Sequence, residues 1–338
     1  GYDTAVVLPL RDGAAADLVR RLLDEVDEAL LLALAALAEV AVEADAGRRV
    51  VSGADGWQVV RAHGTHPPGL LAQRPVEERD RPGWSVTWAK PLAGQAVPTT
   101  LHSPTPTDEP LELPALLIAS FPLDPTRRHV APGPLTDAMV GHVADCYLEL
   151  VQRTPAEARA ALVPGPVAAG RLDGAVREAV LGRLRDASWL AGVDGRPVFP
   201  RDAVAVAGAG PELLRVVAPV VAGLVTDQAV LGRLGVRRLG LADLVDLLGE
   251  LDRPPAWWRE VYCALDADGI GDPEALGALP VPLADGRLVR SPRGVLLPSA
   301  ALPGDPAGLG ALGLRLAHPD AAHPVLARLG SEPAHPRT

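Results

Sequence analysis

The sequence has no asparagine, a single lysine (Lys90), a single methionine (Met139) and only two cysteines, Cys146 and Cys263, in 338 residues. Two cysteines so far apart, without metal-type spacing, argue against a disulfide scaffold and a zinc site, and they fit a reducing compartment. The shortage of lysine and asparagine, beside abundant alanine, glycine, proline and arginine, reads as the bias of a GC-rich genome. Excess positive charge is also missing: formal charge is −10 and the pI about 5.3, which argues against a nucleic-acid partner. No apolar run is long enough for a membrane span. The longest, ALLLALAALA at 29–38, is about half of one and lies between Glu28 and Glu39. No signal peptide is visible. A cytoplasmic location without a membrane partner is expected. Phosphate-loop and G-x-S-x-G patterns are absent too, and GAG at 208–210 lacks the third glycine of a dinucleotide fingerprint.

What is present is a large apolar fraction, 48%, in a chain longer than one core usually serves, so two domains are expected. Residues 4–10 alternate like a strand. With no strand before them to pair with, they suggest a piece of a longer protein. Residues 14–39 keep a three-to-four spacing through Leu18, Leu22, Val26, Ala29 and Ala33, which predicts one long helix, nearly enclosed in its second half. The period then changes to two. EVAVEA, RRVVSG, WQVVRAHG and WSVTWAKPL read as strands, the first three separated by Asp-Ala-Gly and Ala-Asp-Gly turns. Residues 97–110 are proline-rich and read as a loop. LPALLIASF is a further strand, and a helix over about 134–152 carries Met139, Val140, Val143, Tyr147, Leu150 and Val151 on one face.

Thr154, Pro155 and Glu157 read as a capping box that opens a short helix. With VPGPVAAG at 163–170 they place a domain boundary near Thr154. Beyond it the sequence looks repeated. VDGRPVFPRDAVAVAG from 193 and ADGRLVRSPRGVLLPS from 284 each hold an Asp-Gly hairpin signal. Each is followed by a similar tetrapeptide, LGVR at 234–237 and LGLR at 312–315. Two related hairpin-plus-helix units are expected, about 172–251 and 254–330.

Several clusters have two readings. His63 and His66 in HGTH are either surface histidines or metal ligands, and the former is favoured. DADGIGDPE at 266–274 has a calcium-loop composition but not its spacing; Gly269 ending one helix and Asp272 capping the next is the better reading. Trp257, Trp258 and Tyr262 suit core packing or a partner surface. In FPLDPTRR, 121–128, Arg127 and Arg128 stand between a buried strand and a helix. They either cap that helix and form ion pairs or make an anion site, since the planar guanidinium fork suits phosphate and carboxylate.

The order of these elements resembles the segment that follows the ATP-binding domain in sacsin-like proteins and, more distantly, the middle domain of the ninety-kilodalton heat-shock chaperones. Two stretches carry the resemblance: GYDTAVVLPLR followed by ALLLALAALAEVAVE, and LPALLIASFPLDPTRR followed by MVGHVADCYLELV. The resemblance implies an α/β fold. Residues 1–10 would be the last strand of an absent upstream ATPase domain. Residues 11–153 would be a mixed sheet with packed helices like the chaperone middle domain, and 154–338 an α+β domain of two hairpin-plus-helix units. It implies a middle segment that couples an upstream nucleotide domain of the same chain to a client protein. Arg127 matches the chaperone arginine that reaches the terminal phosphate of ATP, and Arg128 is the second member of the sacsin-like pair. HVAPGP stands where the chaperones have a glutamine-containing stretch. No cofactor and no catalysis are expected of this segment alone; ATP and magnesium are expected for the full-length protein, as a possible ATPase. The alternative is a non-catalytic interaction scaffold whose upstream nucleotide domain is degenerate.

Overall fold

The computed structural model describes residues 4–299 (apart from Glu25, Ala35, Asp45, Ala46, Ala54, Gln73 and Gln95), Gly308, and residues 313–335. Among them the chain is a mixed α/β protein with several small sheets, and no helix is long and apolar enough to cross a membrane. It divides into two units, Gly1–Arg183 and Leu184–Thr338.

The first unit contains helices α1 (Gly13–Asp24), α2 (Glu28–Ala33), α3 (Pro68–Leu71), α4 (Val76–Arg79) and α5 (Pro134–Arg153), and most of α6 (Arg171–Asp186). Among the described residues, strands β1 (Glu39–Ala44) and β2 (Gly47–Ser52) pair only with each other. The expected turn between them falls on Asp45 and Ala46, outside the described residues, and the Ala-Asp-Gly turn begins at Ala54, also outside them. Strands β3 (Trp57–Thr65), β4 (Gly83–Pro91), β5 (Thr100–His102), β6 (Pro106–Pro110) and β7 (Leu116–Ala119) form one sheet in the order β3-β4-β7-β5-β6. Only β5–β7 is parallel.

Side chains alternate across this sheet, so it has two buried faces. Helix α5 covers one with Met139, Val143, Tyr147, Leu150 and Val151. Trp88 of β4 lies there, edge-on to Tyr147 with ring centroids 4.8 Å apart. Its Nε1–H donates to the Val143 carbonyl at 2.9 Å. On the other face, Ala29 and Leu32 of α2 meet Trp57, Ala89, Leu116 and Ile118.

Four sequence-based expectations for this unit are corrected. Residues 4–10 form no strand; Val6, Val7 and Leu8 are 78, 87 and 78% exposed. The helix expected over 14–39 is two. Asp27 starts α2 by accepting the Ala29 amide at 2.8 Å, and Arg49 from β2 reaches back to the carbonyls of Leu23, in the last turn of α1, and Val26, just past it. Helix α1 buries none of its residues, whereas Ala29, Leu31 and Leu32 of α2 are buried. The proline-rich stretch 97–110 contributes β5 and β6, because β6 is an edge strand where the missing N–H of Pro106 and Pro110 is tolerated. Finally, Thr154 closes α5 instead of opening a helix. Its hydroxyl donates to the Leu150 carbonyl at 2.8 Å, and a 3-10 turn follows at Ala156–Leu162.

The boundary also lies elsewhere than near Thr154. Residues 155–177 are tied to the first unit: Tyr147 Oη donates to the Leu162 carbonyl at 2.7 Å. The buried Arg177 pairs with Asp173 at 2.9 Å and donates to the carbonyls of Gly165 and Glu112.

The second unit takes up the end of α6 and adds α7 (Pro211–Val217), α8 (Leu241–Gly249), α9 (Pro255–Asp268) and α10 (Pro324–Arg328). Its strands are β8 (Leu190–Ala191), β9 (Pro197–Val198), β10 (Val204–Val206), β11 (Leu224–Val225), β12 (Arg237–Leu239), β13 (Pro280–Pro282), β14 (Leu288–Arg290), β15 (Leu296–Leu297) and β16 (Glu332–Pro333). The two Asp-Gly turns do sit in antiparallel hairpins, β8–β9 and β13–β14. The repeat goes further. Gly192 bridges Val225 as Leu283 bridges Ala317, both antiparallel. Val204 pairs in parallel with Leu224 as Leu296 does with Leu316. Val193 N donates to Leu224 O at 2.8 Å and Ala284 N to Leu316 O at 2.9 Å; Arg237 N to Ala203 O and Glu332 N to Val295 O, both at 3.1 Å.

This register corrects the tetrapeptide match. LGVR does not correspond to LGLR, whose Leu312 lies outside the described residues. Instead Val230-Leu231-Gly232-Arg233-Leu234-Gly235 corresponds to Val325-Leu326-Ala327-Arg328-Leu329-Gly330, different at one position. Gly235 and Gly330 both take left-handed backbone, φ 84 and 107, and lead into β12 and β16.

Candidate functional site

The turn at 121–130 is built from the end of β7 outward. Leu123 and Val130 form an antiparallel bridge, and Ala131 N donates to Pro122 O at 2.8 Å, so the chain leaves the sheet and returns before α5 begins at Pro134. Within the bridge, Arg127 N donates to Asp124 O and Asp124 N to His129 O, both at 2.9 Å. The Asp124 carboxylate accepts the Thr126 hydroxyl at 2.8 and 2.9 Å, the Arg128 amide at 3.2 Å and the His129 amide at 3.4 Å. The Thr126 hydrogen bond, followed by those backbone amides, holds the Asp124 carboxyl below its usual range.

Arg127 is the one residue with a side chain that has left-handed backbone among the described residues, φ 59. That conformation costs a side-chain-bearing residue roughly 1–2 kcal/mol, so the surrounding turn must hold it there. Its guanidinium is exposed and, among the described residues, has no ion-pair or hydrogen-bond partner. Its neighbours are engaged. Arg128 pairs with Asp108 of β6 at 2.7 Å, and its carbonyl accepts the Asp108 amide at 2.8 Å. His129 Nδ1 lies 3.5 Å from Glu109, which also accepts the Val130 amide at 3.0 Å. The two arginines singled out by sequence are therefore adjacent in chain but different in state.

The other clusters resolve structurally. His63 is exposed, while His66 is buried beside His142, ring centroids 5.8 Å apart, with His142 stacked on Trp84 at 3.9 Å. Among the described residues no three His, Cys, Asp or Glu side chains are grouped to hold a metal ion. The acids of 266–274 are used singly. Asp266 pairs with Arg328, and Asp272 accepts the amides of Glu274 and Ala275 at 3.0 and 3.3 Å. Asp268 at the end of α9 accepts the Glu212 and Leu213 amides at 3.1 and 2.8 Å, capping α7. Gly210, the last glycine of GAG, is required by that cap: a Cβ there would lie 2.2 Å from the Asp268 carboxyl carbon. Trp258 and Tyr262 are core residues, and Tyr262 donates to the Pro280 carbonyl at 2.6 Å. Burial pushes the Cys146 thiol up to about 12, which leaves it no nucleophilic character near neutrality.

A concavity of about 560 Å³ lies in the second unit between the α8–α9 connection, the β13–β14 hairpin and His318. Trp258 forms part of its wall, and the indole Nε1 is buried without a hydrogen-bond partner among the described residues. No known protein family, curated protein or solved structure matches the chain.

Proposed function

We propose that this chain is the middle segment of a sacsin-like, chaperone-type ATP-binding protein. It couples a nucleotide domain elsewhere in the protein to a client, in the cytoplasm, with ATP and magnesium held by that other domain. The first unit then corresponds to the chaperone middle domain, and Arg127 to its phosphate-contacting arginine. One observation carries the reading: Arg127 is exposed, unpaired among the described residues and fixed in a disfavoured backbone conformation, whereas Arg128 is spent on Asp108. A guanidinium kept free of its own fold is suited to charge brought by another body.

The test is ATP turnover by the protein carrying its nucleotide domain. An arginine that stabilises a transferring phosphoryl group is worth about 10³-fold or more. Arg127→Ala should lower turnover on that order with its melting temperature unchanged, and Arg128→Ala should do little. Unchanged turnover in Arg127→Ala sinks the reading. The alternative, a non-catalytic interaction scaffold, draws on the duplicated hairpins and the concavity beside Trp258. It is favoured if the wild-type protein binds a client equally with and without ATP.

A further inference from the structure

We propose that Asp124 is a positioning residue for Arg127: its carboxylate holds the turn that keeps Arg127 left-handed and thereby aims the guanidinium away from its own unit. The inference rests on the reading of Arg127 as the group that meets nucleotide phosphate.

The argument starts from the backbone. A side-chain-bearing residue does not stay left-handed unless its neighbours enforce it. Here the backbone bond from Arg127 N to Asp124 O closes the turn, and the side-chain contacts that hold it in place converge on the Asp124 carboxylate. Asp124 gathers the Thr126 hydroxyl before Arg127 and the amides of Arg128 and His129 after it. The amide of Arg127 is thus held by the Asp124 carbonyl and the amide that follows it by the Asp124 carboxylate, while among the described residues the Arg127 side chain makes no hydrogen bond or ion pair. Pro125 restricts the turn further by fixing its own φ. Asp108 acts separately, on Arg128, and the Leu123–Val130 bridge closes the turn's base without reaching its tip.

Removing the carboxylate should leave the fold standing. The groups it releases are exposed and can turn to water, so little stability is lost. What is lost is the direction of residue 127, which relaxes to negative φ and carries its Cα–Cβ bond with it. A catalytic group displaced by about 1 Å can cost about 10²-fold, so a loss between about 10- and 100-fold is expected from misaiming alone.

The experiment is a double-mutant cycle in ATP turnover on the protein with its nucleotide domain. It uses Asp124→Ala, Asp124→Asn, Arg127→Ala and the Asp124→Ala/Arg127→Ala pair, each with a melting curve. Asp124→Ala should lower kcat about 10- to 100-fold with KM and melting temperature close to wild type. Asp124→Asn, which keeps one accepting oxygen, should fall between Asp124→Ala and wild type. The double variant should be no slower than Arg127→Ala, because a positioning residue has nothing left to position. A full loss in Arg127→Ala beside normal turnover in Asp124→Ala overturns the positioning role and leaves the Arg127 reading intact. So does a loss in the double variant that multiplies the two single losses, or one that tracks a lowered melting temperature. Normal turnover in Arg127→Ala, or no turnover in the wild type, overturns both.

Discussion

Single side chains in the first unit have titration behaviour that follows from where they are buried. His66 and His102 are both buried with an unpartnered Nδ1 among the described residues. Burial lowers the pKa of each; the nearby His142 lowers His66 further, and Asp27 pulls His102 partly back. A histidine held below its ordinary value near 6.5 stays neutral in the folded state while the unfolded chain takes up protons. Stability is therefore full above about pH 6.5 and falls as pH drops toward the folded pKa. The first unit should melt several degrees lower at pH 5 than at pH 7.5. His66→Gln and His102→Gln should each flatten that slope, which calorimetry over the pH range can read. A slope unchanged in both variants would show that other groups set it. None of this was legible in the sequence, where HGTH is four residues without a packing context. Arg127 was more visible, since Asp-Pro-Thr is a turn signature. The left-handed φ of an arginine was not, because nothing about its residue type favours it.

At the scale of elements, period and propensity located most of the sheet and both ends of α5, while the break between α1 and α2 escaped. The stretch 14–39 has continuous apolar spacing, yet Asp27 caps a second helix within it, and a cap needs only one carboxylate that the spacing does not register. Prolines read as a loop over 97–110 turned out to sit at the ends of an edge strand, a distinction that depends on which strands lie beside it. Asp268 is the extreme case: the residue that caps α7 comes from 55 and 56 positions further along the chain. Removing it should cost the second unit about 0.5–2 kcal/mol, the usual worth of a cap. Denaturant titration of Asp268→Ala, with Asp272→Ala as the local comparison, measures this. A cost below a few tenths of a kcal/mol would mean that solvent caps α7 equally well.

For the whole molecule, the division after Arg183 has a practical consequence. A fragment ending at Arg153 lacks the partner of Tyr147 Oη and the Arg177 ties, and its α5 loses the cover of residues 155–177. It should be poorly folded, while one ending at Asp186 should give a cooperative melt and a dispersed amide spectrum. Equal behaviour of the two would put the boundary back near Thr154. Length and composition led to an expectation of two units, and the Asp-Gly turns located the two hairpins of the second. The correct alignment of that repeat needed the strand register, because LGVR and LGLR are alike in letters and VLGRLG and VLARLG are alike in place.

The duplicated second half also keeps a record of length. Equivalent residues are 91 apart in the hairpins (Gly192 and Leu283), 92 in the central strands (Val204 and Leu296) and 95 at the left-handed glycines (Gly235 and Gly330). The second copy is therefore one residue longer between the hairpin and the central strand, and three longer between Leu316 and the glycine. Both steps fall in connections, never inside a paired strand. Each copy is thereby a map of insertion tolerance for the other. The places where the second copy is longer, about 198–204 and 225–230 in the first, are where a tag or an extra loop can be spliced in while the strand pairing stays in step.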